Sequence, residues 1–169
     1  KLQNCLPDLI PSDAPLGTVK TEIAEQFQLK SDILVSAGGG DNMMAAIGTG
    51  NVLPGIVTTS LGTSGTIYSF SDQPVIDPNG ELAAFCSSSG GWLPLVCTMN
   101  VTVSTELTRD LLGRSLADLN QLAFSAPPGA QGILLLPYFN GERTPALPNA
   151  KAGFFGLTST NFNAANIAR

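Results

Sequence analysis

Histidine is absent from this 169-residue sequence, and charge is scarce: Asp, Glu, Lys and Arg together make up 12% of it, where about 25% is usual for a soluble domain. Without histidine the chain cannot by itself build a Ser-His-Asp or Cys-His catalytic unit, and it lacks a common zinc ligand. Cysteine is limited to Cys5, Cys86 and Cys97. The number is odd and no pair has metal-site spacing, so neither a disulfide framework nor a metal site is expected. They read as reduced packing cysteines of a reducing, cytoplasmic compartment. No apolar stretch is long enough to span a bilayer and no signal peptide opens the chain, so no membrane association is expected. The eight Lys and Arg are scattered and the net charge is −5. Nucleic acid is therefore not an expected partner, because its affinity rests on clustered cations that neutralise phosphate. A small anionic ligand remains open, since backbone N–H groups hold phosphate without basic side chains.

Hydrophobic residues are plentiful at 43%, and mean hydropathy is +0.20. Low charge with positive hydropathy predicts that much of the surface is covered by something else, such as the remainder of a larger protein, and that the isolated chain self-associates. The chain starts at Lys1 without a Met and ends at Arg169 in a helix-like run. It reads as an internal fragment.

Residues 1–19 are rich in Pro, Gly and Asp and read as loop. Thr21 is placed to cap a short helix through Phe27, with Ile23 and Phe27 at i, i+4. Asp32–Ala37 reads as a buried strand, followed by Gly38-Gly39-Gly40-Asp41-Asn42, then a helix over Met43–Ile47 that Gly48 and Gly50 end. Strand, glycine turn and helix in that order predict an α/β fold, whose ligands gather at the carboxyl ends of strands. Pro54-Gly55 marks a turn and a candidate domain boundary. Beyond it, Val57–Leu61 and Thr66–Phe70 form a predicted hairpin around Gly62-Thr63-Ser64-Gly65, and Glu81–Ser87 and Trp92–Thr98 a second strand pair around Gly90-Gly91. Helices are expected over Ser104–Leu112, with Leu107 and Leu111 on one face, and from Ser115, with Leu116, Leu119, Leu122 and Ala123 toward a core, until Pro127-Pro128-Gly129. Gly132–Pro137 reads as a buried strand, and the tail as a strand over Phe154–Leu157 leading to a helix start over Asn163–Arg169. No low-complexity tract or short repeat is present.

Three segments have the composition of chemistry. Asp41, after three glycines at a strand end, faces a cleft, because glycine lets the backbone turn sharply and leaves room for a ligand. A carboxylate there can take a proton from a hydroxyl, and Asn42 can hold a neighbouring hydroxyl. A purely local reading is also available, since Asp and Asn are favoured at helix N-caps. Ser60-Leu61-Gly62-Thr63-Ser64-Gly65-Thr66 packs glycines and hydroxyls into a turn that would suit phosphate as a nest of donors, or is an ordinary hairpin. It is neither a Walker A loop nor a nucleophile elbow. In Asn140-Gly141-Glu142-Arg143-Thr144-Pro145, Glu142 and Arg143 either pair with each other and hold a loop or reach a ligand. Trp92 is a stacking candidate for a sugar ring or a core residue, and Met43 and Met44 read as core.

The order GGGDN, SLGTSG, PYFNGERTP and GFFGLT resembles the FGGY family of carbohydrate kinases, which includes xylulokinase and glycerol kinase. SLGTSG and GERTP are most similar to its xylulokinase branch, and the resemblance runs over essentially the whole chain. It implies an actin-like (ribonuclease H-like) α/β fold, with 1–52 ending an N-terminal, sugar-binding domain and 53–169 beginning a C-terminal, ATP-binding domain. It implies ATP and Mg²⁺ as cofactors and a sugar, D-xylulose, as substrate and partner, and it allows a homodimer. Carried over by motif, Asp41 is the catalytic base, Asn42 binds the sugar, and Gly62, Thr63, Ser64 and Gly65 hold the outer phosphates of ATP. No metal ligand is assigned. A magnesium-binding Asp-x-Gly hairpin is expected before Lys1 and an adenine-binding segment after Arg169, so the 169 residues alone are expected to be inactive. Another ketose or polyol (ribulose, gluconate, glycerol), a non-catalytic nucleotide- or sugar-binding relative, and a bare interaction domain are the competing readings.

Overall fold

A computed structural model describes residues 5–169; the first four residues of the predicted opening loop lie outside them. The strands are β1 (Pro15–Thr18), β2 (Leu34–Ser36), β3 (Val57–Leu61), β4 (Gly65–Ser69), β5 (Ala83–Cys86), β6 (Trp92–Thr98), β7 (Leu134–Leu136) and β8 (Gly153–Phe155). The helices are α1 (Thr21–Gln26), α2 (Asp41–Gly48), α3 (Thr102–Leu112), α4 (Leu116–Ser125) and α5 (Ala164–Ala168). β1 pairs antiparallel with β2 and β7 with β8. The four middle strands form a sheet in the order β3-β4-β6-β5. The α/β expectation therefore holds. Among the described residues two compact units emerge: one draws on residues 5–58, Ser69–Ile76 and Ala84–Pro94, the other on Thr59–Tyr68, Asp77–Ala83 and Leu95–Arg169.

In the first unit, β1 occupies part of the segment read as loop; Gly17 lies at an irregularity in its pairing with β2. Lys20, not Thr21, caps α1, and no side chain makes the capping bond. Helix α2 begins at Asp41 and runs through Gly48; it ends at Gly50, which takes the left-handed conformation at φ 73°. There Asn51 N donates to Ala46 O at 2.8 Å and Gly50 N to Ile47 O at 3.0 Å, the paired bonds of a glycine-terminated helix. Asn51 is fully buried. Its Oδ1 accepts from Phe70 N at 2.9 Å and its Nδ2 donates to Thr58 Oγ1 at 3.1 Å, so one amide ties the end of α2 to two strand-associated segments. Asn51→Ala would strand the part-buried backbone N–H of Phe70 and open a cavity. In the intact protein it is expected to cost about 3 kcal/mol, read as a lower urea midpoint at unchanged slope.

In the second unit, Ser115 caps α4 as expected: its Oγ accepts from Asp118 N at 3.1 Å and donates to Asp118 Oδ2 at 2.7 Å. Leu119 is buried, whereas Leu116 is exposed. Helix α3 closes on Gly113 at φ 61°, and Leu107 and Leu111, which share a face, are both exposed. The predicted burial of the DILVSA and GILLLP strands also fails: Leu34 is 67% and Leu134 60% exposed. An apolar run is enough to specify a strand, but its burial needs layers against its faces. β2 and β7 each sit in a two-stranded sheet. Met44, Cys5 and Cys86, read as packing residues, are exposed as well.

Candidate functional site

Each of the three glycines before Asp41 has a distinct reason. Gly38 sits at φ 76°, a conformation that side chains avoid. A Cβ on Gly39 would collide with Met44 Cε and would lie 2.6 Å from Ser88 Oγ, and one on Gly40 would lie 3.0 Å from Met43 Sδ. The chain thus turns from β2 into α2 through a left-handed glycine and two glycines crowded by the side chains of Met43, Met44 and Ser88, and Asp41 emerges as the first helical residue. Gly40, not Asp41, is the cap residue, so the local reading of Asp41 as an N-cap does not hold. Its Oδ1 accepts from Asn42 N at 2.8 Å. The carboxylate is exposed and Asn42 half-buried. The geometry is that of a carboxylate held at one oxygen and open at the other, at the carboxyl end of a strand.

The hairpin between β3 and β4 is a three-residue loop whose carbonyls are all engaged. Ser64 O accepts from Gly62 N at 2.9 Å, Thr63 O from Val101 N at 3.1 Å and Gly62 O from Thr102 N at 3.0 Å. The start of α3 therefore binds the negative ends of the loop's peptide dipoles. Thr63 and Ser64 are exposed, and their hydroxyls make an anion-compatible donor set. Gly62 commits its N–H to the turn. Gly65 is buried, and a Cβ there would lie 2.7 Å from Val101 Cγ2. These two glycines shape the loop, and its exposed side-chain donors are the hydroxyls of Thr63 and Ser64. No group of three or more His, Cys, Asp or Glu among the described residues is placed to hold a metal ion.

The expected pairing of Glu142 with Arg143 is absent. The ion pairs found among the described residues are both made by Arg109, and the Arg143 guanidinium lies 3.5 Å from Cys97 Sγ. Glu142 is instead 3% exposed and saturated with donors. Oε1 accepts from Met99 N at 2.8 Å and Arg143 N at 2.7 Å; Oε2 accepts from Thr98 Oγ1 at 2.6 Å and Asn100 Nδ2 at 3.3 Å. Burial pushes this carboxyl up, but the bonds from Thr98, Met99 N–H, Arg143 N–H and Asn100 outweigh it and hold the pKa at about 2. Asn100, which composition did not single out, is buried and donates to Gly141 O at 2.6 Å. Trp92 is half-buried in β6, its backbone bridged to Ser71.

No protein-family model matches the chain. A xylulose kinase of Haemophilus influenzae is 51% identical over 99% of the chain, which covers 34% of that protein. The crystal structure of xylulose kinase from Bifidobacterium adolescentis superimposes with a TM-score of 0.79 at 42% identity, over 95% of this chain and 31% of its own. That of gluconate kinase from Lactobacillus acidophilus does so with a TM-score of 0.89 at 27% identity, over 96% of this chain and 34% of its own. The chain belongs to the family of carbohydrate kinases that these proteins represent, and its α/β fold is part of their actin-like ATPase fold. Its curated relatives include xylulose kinases, among them that of Streptomyces rubiginosus at 39% identity over 89% of this chain and 30% of that protein. The chain spans about a third of the length of the curated relatives it matches. No helix among the described residues is long and apolar enough to cross a membrane.

Proposed function

We propose that the protein carrying this chain is an ATP-dependent sugar kinase that converts D-xylulose to D-xylulose 5-phosphate. The observation that carries the reading is the 51% identity to a xylulose kinase along 99% of the chain. In this reading Asp41 takes the proton from the C5 hydroxyl as that oxygen attacks the γ-phosphorus, the bond to the β–γ bridging oxygen breaks, and ADP leaves. Such a transfer depends on alignment and charge stabilisation more than on covalent chemistry. The open Asp41 carboxylate beside Asn42 suits the first task. The loop Gly62, Thr63, Ser64 and Gly65 suits the second, with Thr63 and Ser64 donating to the outer phosphates and the two glycines shaping the turn that presents them. Mg²⁺ would enter on the nucleotide's phosphate oxygens, which it favours as a hard cation. Residues 1–52 are assigned to the end of the sugar-binding domain and 53–169 to the start of the ATP-binding domain. Three free cysteines fit a cytoplasmic location, and the 169 residues alone are expected to be inactive.

A second reading keeps the chemistry and changes the sugar: the likeness to a gluconate kinase structure at a TM-score of 0.89 means that this fold does not by itself select the ketose. The test is ADP release by the full-length protein with Mg-ATP and D-xylulose, L-ribulose, glycerol or gluconate. Turnover with D-xylulose alone is the expected result. Turnover with another sugar transfers the assignment to that substrate, and none with any of the four defeats the proposal.

A further inference from the structure

Glu142 carries a charge into the interior without a cation, and three of its four donors lie in the segment that runs up to the β3–β4 hairpin. Its donors are the three consecutive residues Thr98, Met99 and Asn100, together with its own neighbour Arg143. Thr98 is the strand partner of Gly65, at the foot of the hairpin, and its Cγ2 would stand 3.4 Å from a Cβ on Gly65. The next two residues, Val101 and Thr102, donate their N–H groups to Thr63 O and Gly62 O. A continuous run of bonds therefore leads from the carboxylate, through 98–102, to the carbonyls that set the loop's conformation. The loop segment carrying Glu142 is itself fixed: Glu142 and Leu147 exchange backbone bonds of 2.9 and 3.0 Å, and a Cβ on Gly141 would run into the Pro148 carbonyl.

We infer that Glu142 is a positioning residue for phosphate binding, holding the 98–102 segment so that the hairpin presents Thr63 and Ser64 to the nucleotide. The inference rests on the proposed role of that hairpin. Glutamate is required because both carboxylate oxygens face donors. A glutamine sets its NH₂ either against both Met99 N–H and Arg143 N–H or, with the Thr98 hydroxyl turned round to accept, against Asn100 Nδ2, so at least one donor loses its partner in each flip. The strain then falls on 98–102, whose displacement moves the hairpin and not the sugar-binding carboxylate.

The experiment is steady-state kinetics of the full-length protein with Mg-ATP and D-xylulose. Glu142→Gln is expected to raise the KM for ATP about tenfold or more while the KM for sugar stays within about twofold, the split that misplaced phosphate donors produce. Thr98→Val, which removes one donor and keeps the shape, is expected to shift the ATP KM in the same direction by about threefold. A folded Glu142→Gln protein with an unchanged ATP KM overturns the inference, as does an equal rise in both KM values. If Glu142→Gln does not fold, Thr98→Val decides alone by the same criterion. Thr63→Ala and Ser64→Ala separate the two levels: if they raise the ATP KM and Glu142→Gln does not, only the positioning role falls. If they leave it unchanged, the phosphate reading of the hairpin falls, and the inference with it.

Discussion

Asp41→Asn in the full-length protein is expected to lower kcat by about 10³-fold, within the range that a positioned general base contributes, while the KM for ATP and the melting temperature stay nearly constant. Asparagine has the shape of aspartate and keeps an oxygen that can accept from Asn42 N, the bond that Asp41 Oδ1 makes at 2.8 Å. The start of α2 is preserved, because its cap is the backbone of Gly40 and no side-chain capping bond is present. Only the capacity to accept a proton is lost. Transition-state stabilisation thus falls while ground-state binding of the nucleotide does not, and kcat and kcat/KM for the sugar decline together. ADP release under saturating Mg-ATP measures it, and turnover equal to that of the unmodified protein would remove Asp41 from the role of base.

Much of this site was legible because its geometry is local. Gly38, Gly39, Gly40 and Asp41 are consecutive, and a glycine run between a strand and a helix marks a sharp turn that brings the next side chain to the start of the helix. The hairpin was legible for the same reason, with glycines flanking a short loop between two β-rich runs. What sequence could not apportion was the labour among the four hairpin residues. Gly62 and Gly65 look like phosphate-facing glycines in the text of the sequence, yet one N–H is bonded within the turn and the other residue is buried against Val101.

Glu142 marks the opposite limit. Its charge, in a chain where Asp, Glu, Lys and Arg make up only 12%, drew attention to it. The nearest charge, Arg143, suggested an ion pair. Arg143 contributes only its backbone N–H; the other three partners lie 42 to 44 positions back along the chain, and no spacing rule reaches that far. The same failure affected burial. DILVSA and GILLLP were recognised as strands from their β-branched and leucine-rich composition, but Leu34 and Leu134 are largely exposed. Local propensity fixes an element, and only tertiary neighbours decide which of its faces is covered.

The buried Glu142 carboxylate also predicts how the protein responds to acid. Its pKa is held at about 2, against an ordinary value of 4.5. A carboxyl whose folded pKa is depressed contributes stability that is complete above the unfolded value and lost as pH falls through it toward the folded one. The contribution is therefore whole at neutral pH, begins to decline near 4.5, and is exhausted near 2. Its full size is roughly 3 kcal/mol, from about 1.36 kcal/mol per pH unit. Asp77, exposed and lowered chiefly by the N–H of Asn79, titrates in the same direction but identically in a Glu142→Gln protein. The difference between the two proteins thus isolates Glu142. In urea unfolding of the full-length chain, the unmodified protein should exceed Glu142→Gln in stability most at pH 7, and the gap should narrow steadily between pH 5 and pH 3. A gap of the same size at both ends would mean that Glu142 contributes through its packing and not through its charge, and the four donors around it would then have to be satisfied as well by an amide as by a carboxylate.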